Sequence, residues 1–241
     1  MSAADLASGL RQVVMAASSD DARPILTGVL MSAEDGGLRL VATDSYRLAV
    51  RDLPNATVLS EGQKVLVPSR ALGELIRVLG DAEEVTVRLG ERDVTFDVPL
   101  QDGRVQVTTR LIEGEFPNYR QLIPSSYPNQ LVVGREPLLE AVRRVKLMAR
   151  EAAPLRVTQR SNELELMAIT QDVGEAREEV DAKYDGEELT VAFNPDYLID
   201  GIEAATGDEV ILESLDALKP AVLRSTDGGD FLYLLMPVRV S

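Results

Sequence analysis

The same pattern of apolar segments occurs twice in this chain, at a constant separation. Leu38 begins an alternating apolar stretch whose counterpart begins at Leu164, and Leu72 lies in an apolar helical stretch whose counterpart contains Leu198. Both separations, 164 minus 38 and 198 minus 72, equal 126 residues. A chain of 241 residues accommodates two domains of about 120 residues. The spacing therefore predicts two tandem copies of one fold, the alternative being two ordinary α+β domains with a chance similarity.

Each copy has the same predicted order of elements. An amphipathic helix (residues 6–16 and 137–150) precedes alternating strands, and a second helix begins after residues 65–68 and 191–194. Ser69 and Asn194 stand at the predicted N-caps of the second helices. Further alternating strands end each copy, and a stretch rich in Pro and Ser (124–129) separates the copies. We expect an α+β fold with two helices on antiparallel sheet in each of two domains, 1–124 and 125–241.

Composition excludes several kinds of chemistry. The chain has no cysteine and no histidine, which rules out disulfides, thiolate chemistry, histidine acid–base catalysis and ordinary zinc sites. Tryptophan is absent and aromatic residues make up only 4%, so aliphatic side chains must form the cores. The N-terminus lacks the features of a signal peptide, and no apolar run is long enough to span a membrane. We predict a soluble cytoplasmic protein without catalytic residues, metal or cofactor.

Basic residues are concentrated on predicted helix faces although the formal net charge is −15. Such faces can contact the phosphate backbone without reading bases. A solvated helix face is the simpler interpretation of each one. The fourth helix carries Asp196, Asp200 and Glu203, so it contributes no positive face, and the acidic loop 19–23 is poorly suited to DNA. The candidate DNA-facing residues are Arg11, Arg70, Arg77, Arg143, Arg144, Lys146 and Arg150.

Three separated segments carry a family resemblance. Residues 40–49 run from an apolar strand through Thr-Asp-Ser-Tyr-Arg into an apolar return, residues 115–120 read Glu-Phe-Pro-Asn-Tyr-Arg, and residues 234–239 read Leu-Leu-Met-Pro-Val-Arg. Together with the repeat, they resemble the bacterial sliding clamp, the β subunit of DNA polymerase III. The resemblance covers the second and third of the three domains of that family, about two thirds of its length. It implies tandem DNA-clamp domains without catalytic activity.

The resemblance also implies a peptide-binding pocket at the junction of the two domains. Apolar residues would hold an extended apolar peptide, and Arg47 and Arg239 would hold its polar atoms or terminal carboxylate. Met236 suits a pocket that accepts varied partners. The implied residues are Leu26, Thr43, Ser45, Tyr46, Arg47, Leu48, Pro117, Gln121, Leu122, Asn194, Tyr197, Leu218, Pro220, Leu234, Leu235, Met236, Pro237, Val238 and Arg239.

By the same resemblance, we expect a processivity factor of DNA polymerase III, or a fragment of one. Its partners would be peptides of the replicative polymerase, the clamp loader and repair proteins, together with nonspecifically bound duplex DNA, and no membrane. The family's first domain supplies half of the interface that closes the ring. Self-association into that ring therefore requires this domain, which either was removed or is naturally absent.

Two departures from the family bear on peptide preference. Ser45 and Tyr46 occupy the turn in which many relatives have Gly-His. The sequence ends Arg239-Val240-Ser241, one residue beyond the usual Arg-Leu end of the family. A regulatory paralogue, with the fold retained as a protein-interaction module, is the alternative function. A metal-dependent nuclease using Asp20, Asp21 and Asp44 is a further alternative, since carboxylates can hold magnesium.

Overall fold

The computed structural model describes residues 1–80, 82–149 and 153–239, and the chain forms two compact units. Unit 1 comprises Met1–Pro117 and unit 2 comprises Asn118–Ser241. The domain boundary predicted from the linker, after residue 124, lies a few residues beyond this division. Each unit is described separately below.

Unit 1 consists of two α-helices, a short 3-10 helix (Pro24–Thr27) and seven strands in its described part. The first helix, α1 (Ala3–Val14), packs against the second, α2 (Ser69–Leu79). The strands are β1 (Gly28–Glu34), β2 (Gly37–Thr43), β3 (Arg47–Leu53), β4 (Lys64–Pro68), β5 (Thr86–Leu89), β6 (Asp93–Leu100) and β7 (Gly103–Arg110). Antiparallel pairing gives the orders β4-β1-β2-β3 and β5-β6-β7.

The core of unit 1 follows from the sequence period of each element. Leu6, Leu10 and Val13 of α1 recur at helical spacing and are fully buried. In β6, Val94 and Phe96 alternate with more exposed residues and are also fully buried. Mainly aliphatic residues, joined by Phe96, therefore form this core, as the low aromatic content requires.

Unit 2 consists of two α-helices, a short 3-10 helix (Tyr119–Leu122) and eight strands in its described part. The helices are α3 (Arg135–Lys146) and α4 (Pro195–Ala204), which pack against each other. The strands are β8 (Asn129–Gly134), β9 (Leu155–Arg160), β10 (Glu163–Thr170), β11 (Gly174–Asp185), β12 (Leu189–Phe193), β13 (Glu209–Ser214), β14 (Ala221–Ser225) and β15 (Phe231–Leu235). Within the unit they pair antiparallel in the order β12-β9-β10-β11-β8-β13-β14-β15.

The two units repeat one arrangement of elements. A helix, four strands, a second helix and three strands occur in the same order in both, and the strand order β4-β1-β2-β3 corresponds to β12-β9-β10-β11. Leu38 and Leu164 are buried in β2 and β10, while Leu72 and Leu198 are buried in α2 and α4. The prediction of a duplicated α+β fold, with two helices on antiparallel sheet in each copy, is confirmed.

Two local predictions meet different outcomes at the second helices. Asn194 caps α4 as expected, because its side-chain oxygen accepts the N–H groups of Asp196 at 2.8 Å and Tyr197 at 3.3 Å. The prediction that Ser69 caps α2 is wrong. Pro68 occupies the N-cap position, and Ser69 is already the first helical residue. Proline at this boundary fixes the entry of the chain by its ring instead of by a side-chain hydrogen bond.

Two helical glycines give a matched test of packing. A Cβ at Gly201 of α4 would overlap the ring of the fully buried Tyr233, whereas a Cβ at Gly73 of α2 meets nothing within 4 Å. Alanine favours an exposed helix interior over glycine by about 1 kcal/mol, and overpacking costs about 1–3 kcal/mol. We therefore expect Gly73→Ala to raise, and Gly201→Ala to lower, the free energy of unfolding measured in urea. An equal stabilisation by both substitutions would contradict the packing described here.

Candidate functional site

The turn between β2 and β3 is held by the side chains of Thr43, the last residue of β2, and of Asp44, the first residue of the turn. Thr43 Oγ1 donates to the Arg47 carbonyl at 2.6 Å. The Asp44 carboxylate accepts the backbone N–H groups of Tyr46 at 2.9 Å and Arg47 at 3.0 Å, and its second oxygen accepts Arg47 Nε at 3.0 Å. Thr43 and Asp44 are buried, so these bonds are protected from water. The turn is thereby fixed in one conformation.

This conformation presents Ser45 and Tyr46 to solvent. Ser45 has a φ of +82°, a left-handed conformation that glycine adopts at lower cost. Tyr46 follows with 59% of its surface exposed, which is unusual for a large aromatic side chain. An exposed aromatic ring on a rigid turn is well suited to contact a ligand.

Arg23 supports this turn, although sequence reasoning assigned it no such role. Its guanidinium donates to the Asp44 carbonyl at 3.2 Å and to Ser45 Oγ at 3.3 Å. The Asp20 carboxylate accepts Arg23 Nε at 2.9 Å and the Ala22 N–H at 3.0 Å. The Ala22 N–H and then Arg23 hold the pKa of Asp20 below its ordinary value. The acidic loop thus positions an arginine against the turn, and only the matching Asp-x-x-Arg spacing of residues 20–23 and 44–47 signals it.

In unit 2, the beginning of α4 is fixed from beneath by Tyr233. This fully buried residue of β15 donates its hydroxyl hydrogen to the Tyr197 carbonyl at 2.9 Å. Its ring lies against Gly201, one turn further along α4. Together with the Asn194 cap, this contact sets the position of the partly exposed Tyr197. The sequence pattern predicts a strand here, but nothing in it reveals which carbonyl the Tyr233 hydroxyl contacts.

The C-terminal segment of unit 2 extends from β15 over the edge of another strand. Leu234 and Leu235 are buried in β15, Met236 and Pro237 are half-buried, and Val238 is 38% exposed. The Val238 N–H donates to the Ala192 carbonyl of β12 at 2.7 Å. The segment is therefore tethered at one point, and its apolar side chains remain partly accessible.

The predicted peptide-binding residues fall into two classes of exposure. Four are buried in strands or at a strand end: Thr43, Leu48, Leu234 and Leu235. The others are partly or fully exposed on their own unit: Leu26, Ser45, Tyr46, Arg47 and Pro117 on unit 1, and Gln121, Leu122, Asn194, Tyr197, Leu218, Pro220, Met236, Pro237, Val238 and Arg239 on unit 2. Only the exposed residues of this set are accessible to a ligand, whereas the four buried ones pack beneath the surface of their own unit.

The predicted DNA-facing residues that the structure describes are exposed, apart from the half-buried Lys146, and most have carboxylate partners. On unit 1, Arg77 pairs with Glu74 at 3.0 Å and Arg70 lies 3.8 Å from Asp21. Arg11 is exposed on α1. On unit 2, Arg143 pairs with Glu203, Arg144 with Glu178, and Lys146 with Asp196. Arg150 lies outside the described residues.

The carboxylates of the nuclease alternative have other partners. Asp20 and Asp44 are bonded to arginines and backbone N–H groups of their own turns, and Asp21 lies near Arg70. Across residues 1–80, 82–149 and 153–239, no three acidic side chains group closely enough to hold a metal ion. Within those same ranges, no helix has the length and apolar character needed to cross a membrane.

The fold, a tandem pair of α+β units, has clear relatives. The family model for the central domain of the DNA polymerase III beta subunit matches residues 1–118. The family model for its C-terminal domain matches residues 120–239. The beta sliding clamp of Streptomyces coelicolor is 34% identical over 98% of this chain, and that of Staphylococcus aureus is 33% identical over 95%.

Solved structures agree. The DNA polymerase sliding clamp of Bacillus subtilis superimposes on the whole chain with a TM-score of 0.92 at 29% identity. A sliding clamp of Bartonella birtlesii, bound to griselimycin, does so with a TM-score of 0.90 at 31% identity. The chain belongs to the DNA polymerase III beta subunit family. It spans 65% of the length of the Streptomyces protein and 61% of that of the Staphylococcus protein.

Proposed function

We propose that this chain serves as the central and C-terminal part of a sliding clamp, a processivity factor that acts without catalysis. The single observation that carries the proposal is the consecutive match of both units to the two corresponding domains of one family. Its partners would be peptides of the replicative polymerase, the clamp loader and repair proteins, together with duplex DNA, in the bacterial cytoplasm.

Peptide binding is supported by accessible apolar surface on rigid supports. In unit 1, the bonds of Asp44 present Tyr46 to solvent. In unit 2, Leu218 is 69% exposed and the tethered tail exposes Val238. Burial of two or three such side chains contributes about 1.5–3 kcal/mol each, from which ordering costs must be subtracted. The proposal is that the turn and the tail each contribute contacts to a bound peptide.

DNA contact is supported by exposed cations on α1, α2 and α3. These cations are at least partly accessible to solvent. A cation can contact a DNA phosphate without contacting a base, so the contact does not depend on the DNA sequence. Most of these cations pair with exposed carboxylates. Exposed pairs of this kind contribute little stability, so phosphates can replace the carboxylates. Binding of this kind would be nonspecific and strongly salt-dependent.

A labelled peptide with a Gln-x-x-Leu-Phe motif tests the proposal. We expect saturable binding in fluorescence polarisation with a dissociation constant on the order of micromolar, equivalent to about −8 kcal/mol. A matched peptide in which Leu-Phe is replaced by Ala-Ala should bind much more weakly, because it loses the apolar anchors. Equal binding of both peptides, or no binding at hundreds of micromolar, would refute the peptide-binding part.

A further inference from the structure

The basic side chains of α3 are matched by carboxylates of α4. Arg143 Nη2 contacts Glu203 Oε1, and Lys146 Nζ contacts Asp196 Oδ1. All four side chains are between 39% and 63% exposed, so the pairs lie at the surface and not in the core between the helices. The acidic face of α4 therefore lies beside the basic face of α3 and neutralises two of its charges.

The order of the two pairs along the helices shows that α3 and α4 run in opposite directions. Asp196 and Glu203 are seven residues apart in α4, two turns on one face, while Arg143 and Lys146 are three residues apart in α3. The earlier residue of α3 pairs with the later residue of α4, as expected for helices that run in opposite directions. The sequence predicts only that α4 lacks cations. The structure shows in addition that the carboxylates of α4 lie against the cations of α3.

A further cation of α3, Arg144, is neutralised by a strand of the sheet. Arg144 forms a two-point contact with Glu178 of β11, with Nε to Oε1 at 2.7 Å and Nη2 to Oε2 at 3.0 Å. Glu140 lies 3.6 Å away as a second carboxylate. The hydrogen bond from Arg144 holds the pKa of Glu178 below its ordinary value, so this carboxylate stays charged at neutral pH. Arg135, the remaining cation of α3, pairs with Glu136, so all four cations of this helix have anionic partners.

Unit 1 has a different arrangement of charge. Arg77 of α2 pairs with Glu74 of the same helix, and Arg70 lies near Asp21 of a loop. Among the described residues, no ion pair joins α1 to α2. Neutralisation between neighbouring helices is therefore specific to unit 2, in the part of the chain that the structure covers.

We infer that Asp196 and Glu203 mask the basic face of α3, so that a polyanion must displace these carboxylates before it contacts Arg143 and Lys146. The inference extends the DNA contacts of the proposed function, and its DNA consequence rests on them. The masked face binds polyanions more weakly than its sequence predicts. Its binding is also less dependent on salt, because fewer phosphates are neutralised.

The test is a double substitution, Asp196→Asn with Glu203→Gln, which removes the masking charges and keeps side-chain size. The control is Glu175→Gln with Asp181→Asn, which changes the net charge equally. Both control residues are exposed on β11 and alternate with Glu178, so they point to the sheet face opposite α3. A third variant adds Arg143→Gln and Lys146→Gln to the first. The probes are immobilised heparin and a short duplex DNA.

We expect the unmasked variant to elute from heparin at higher salt than the control. It should also bind the duplex about tenfold more tightly at low salt, with a slope of log K against log salt that is steeper by about 0.9 per released cation. The third variant should lose both gains. Identical elution of the unmasked variant and the control would overturn the inference. A gain on heparin without any duplex binding would support the mask but refute the DNA contacts of the proposed function.

Discussion

Replacement of Asp44 by alanine is expected to lower the free energy of unfolding by about 3–5 kcal/mol, the cost of removing one partner of a buried ion pair. The Asp44 and Arg47 side chains are each 10% exposed, and the Asp44 carboxylate also accepts two backbone N–H groups. The substitution removes all three bonds of this carboxylate. It also withdraws the anionic partner that Arg47 has in this turn. Urea denaturation monitored by circular dichroism measures the loss.

Asp20→Ala provides a matched control for Asp44→Ala. Asp20 and Arg23 form the same i,i+3 pair as Asp44 and Arg47, but their side chains are 48% and 41% exposed. Exposed pairs contribute little, so we expect only a small loss of stability from Asp20→Ala. Peptide affinity should fall strongly in Asp44→Ala, even at temperatures where the variant stays folded, because Tyr46 is no longer held. Similar losses of stability in both variants would contradict the account of the turn.

Removal of the residues after Leu235 is expected to reduce peptide affinity by at least one hundredfold, while unit 2 stays folded. Leu234 and Leu235 remain in β15, so the core is retained. The main structural loss is the hydrogen bond from Val238 to Ala192, worth about 0.5–1.5 kcal/mol. The functional loss is larger, because Met236, Pro237 and Val238 supply the accessible apolar surface. Fluorescence polarisation and thermal denaturation measure the two effects separately.

A point substitution within the tail refines this prediction. Val238→Ala and Val173→Ala remove the same methyl groups from side chains that are 38% and 49% exposed. Val173 lies in the turn between β10 and β11, outside both segments that are proposed to contact the peptide, the β2–β3 turn and the C-terminal tail. We expect several-fold weaker peptide binding for Val238→Ala and unchanged binding for Val173→Ala. Equal effects would show that the tail has no special role.

The duplicated fold could be predicted from the sequence because both periodicities are strong. Leu38 and Leu164 lie near the beginning of corresponding strands, and Leu72 and Leu198 lie on corresponding helix faces. The constant separation of these pairs therefore indicates the duplicated architecture. The cap of α4 was also predictable, since Asn194 precedes Pro195 at a helix start. The prediction of Ser69 as the N-cap of α2 was wrong because Pro68 occupies that position. In the sequence alone, a serine at the start of an apolar helical stretch is typical of a cap.

The supports of the candidate site could not be predicted, because they depend on contacts between distant residues. Arg23 reaches the Asp44 carbonyl, 21 residues away, and Tyr233 reaches the Tyr197 carbonyl, 36 residues away. No local pattern specifies which carbonyl a long or buried side chain contacts. The pairing of α3 with α4 is similar, since the sequence gives the charge on each helix but not how the two helices face each other.

The most direct test follows the six methionine methyl groups by NMR during a peptide titration. Met236 lies in the tail, whereas Met167 lies in β10 of the same unit and serves as an internal reference. We predict that the Met236 methyl resonance shifts saturably with a Gln-x-x-Leu-Phe peptide while the Met167 resonance stays unchanged. A peptide that saturates the protein without moving Met236, or one that moves neither resonance at any concentration, would contradict the proposed site.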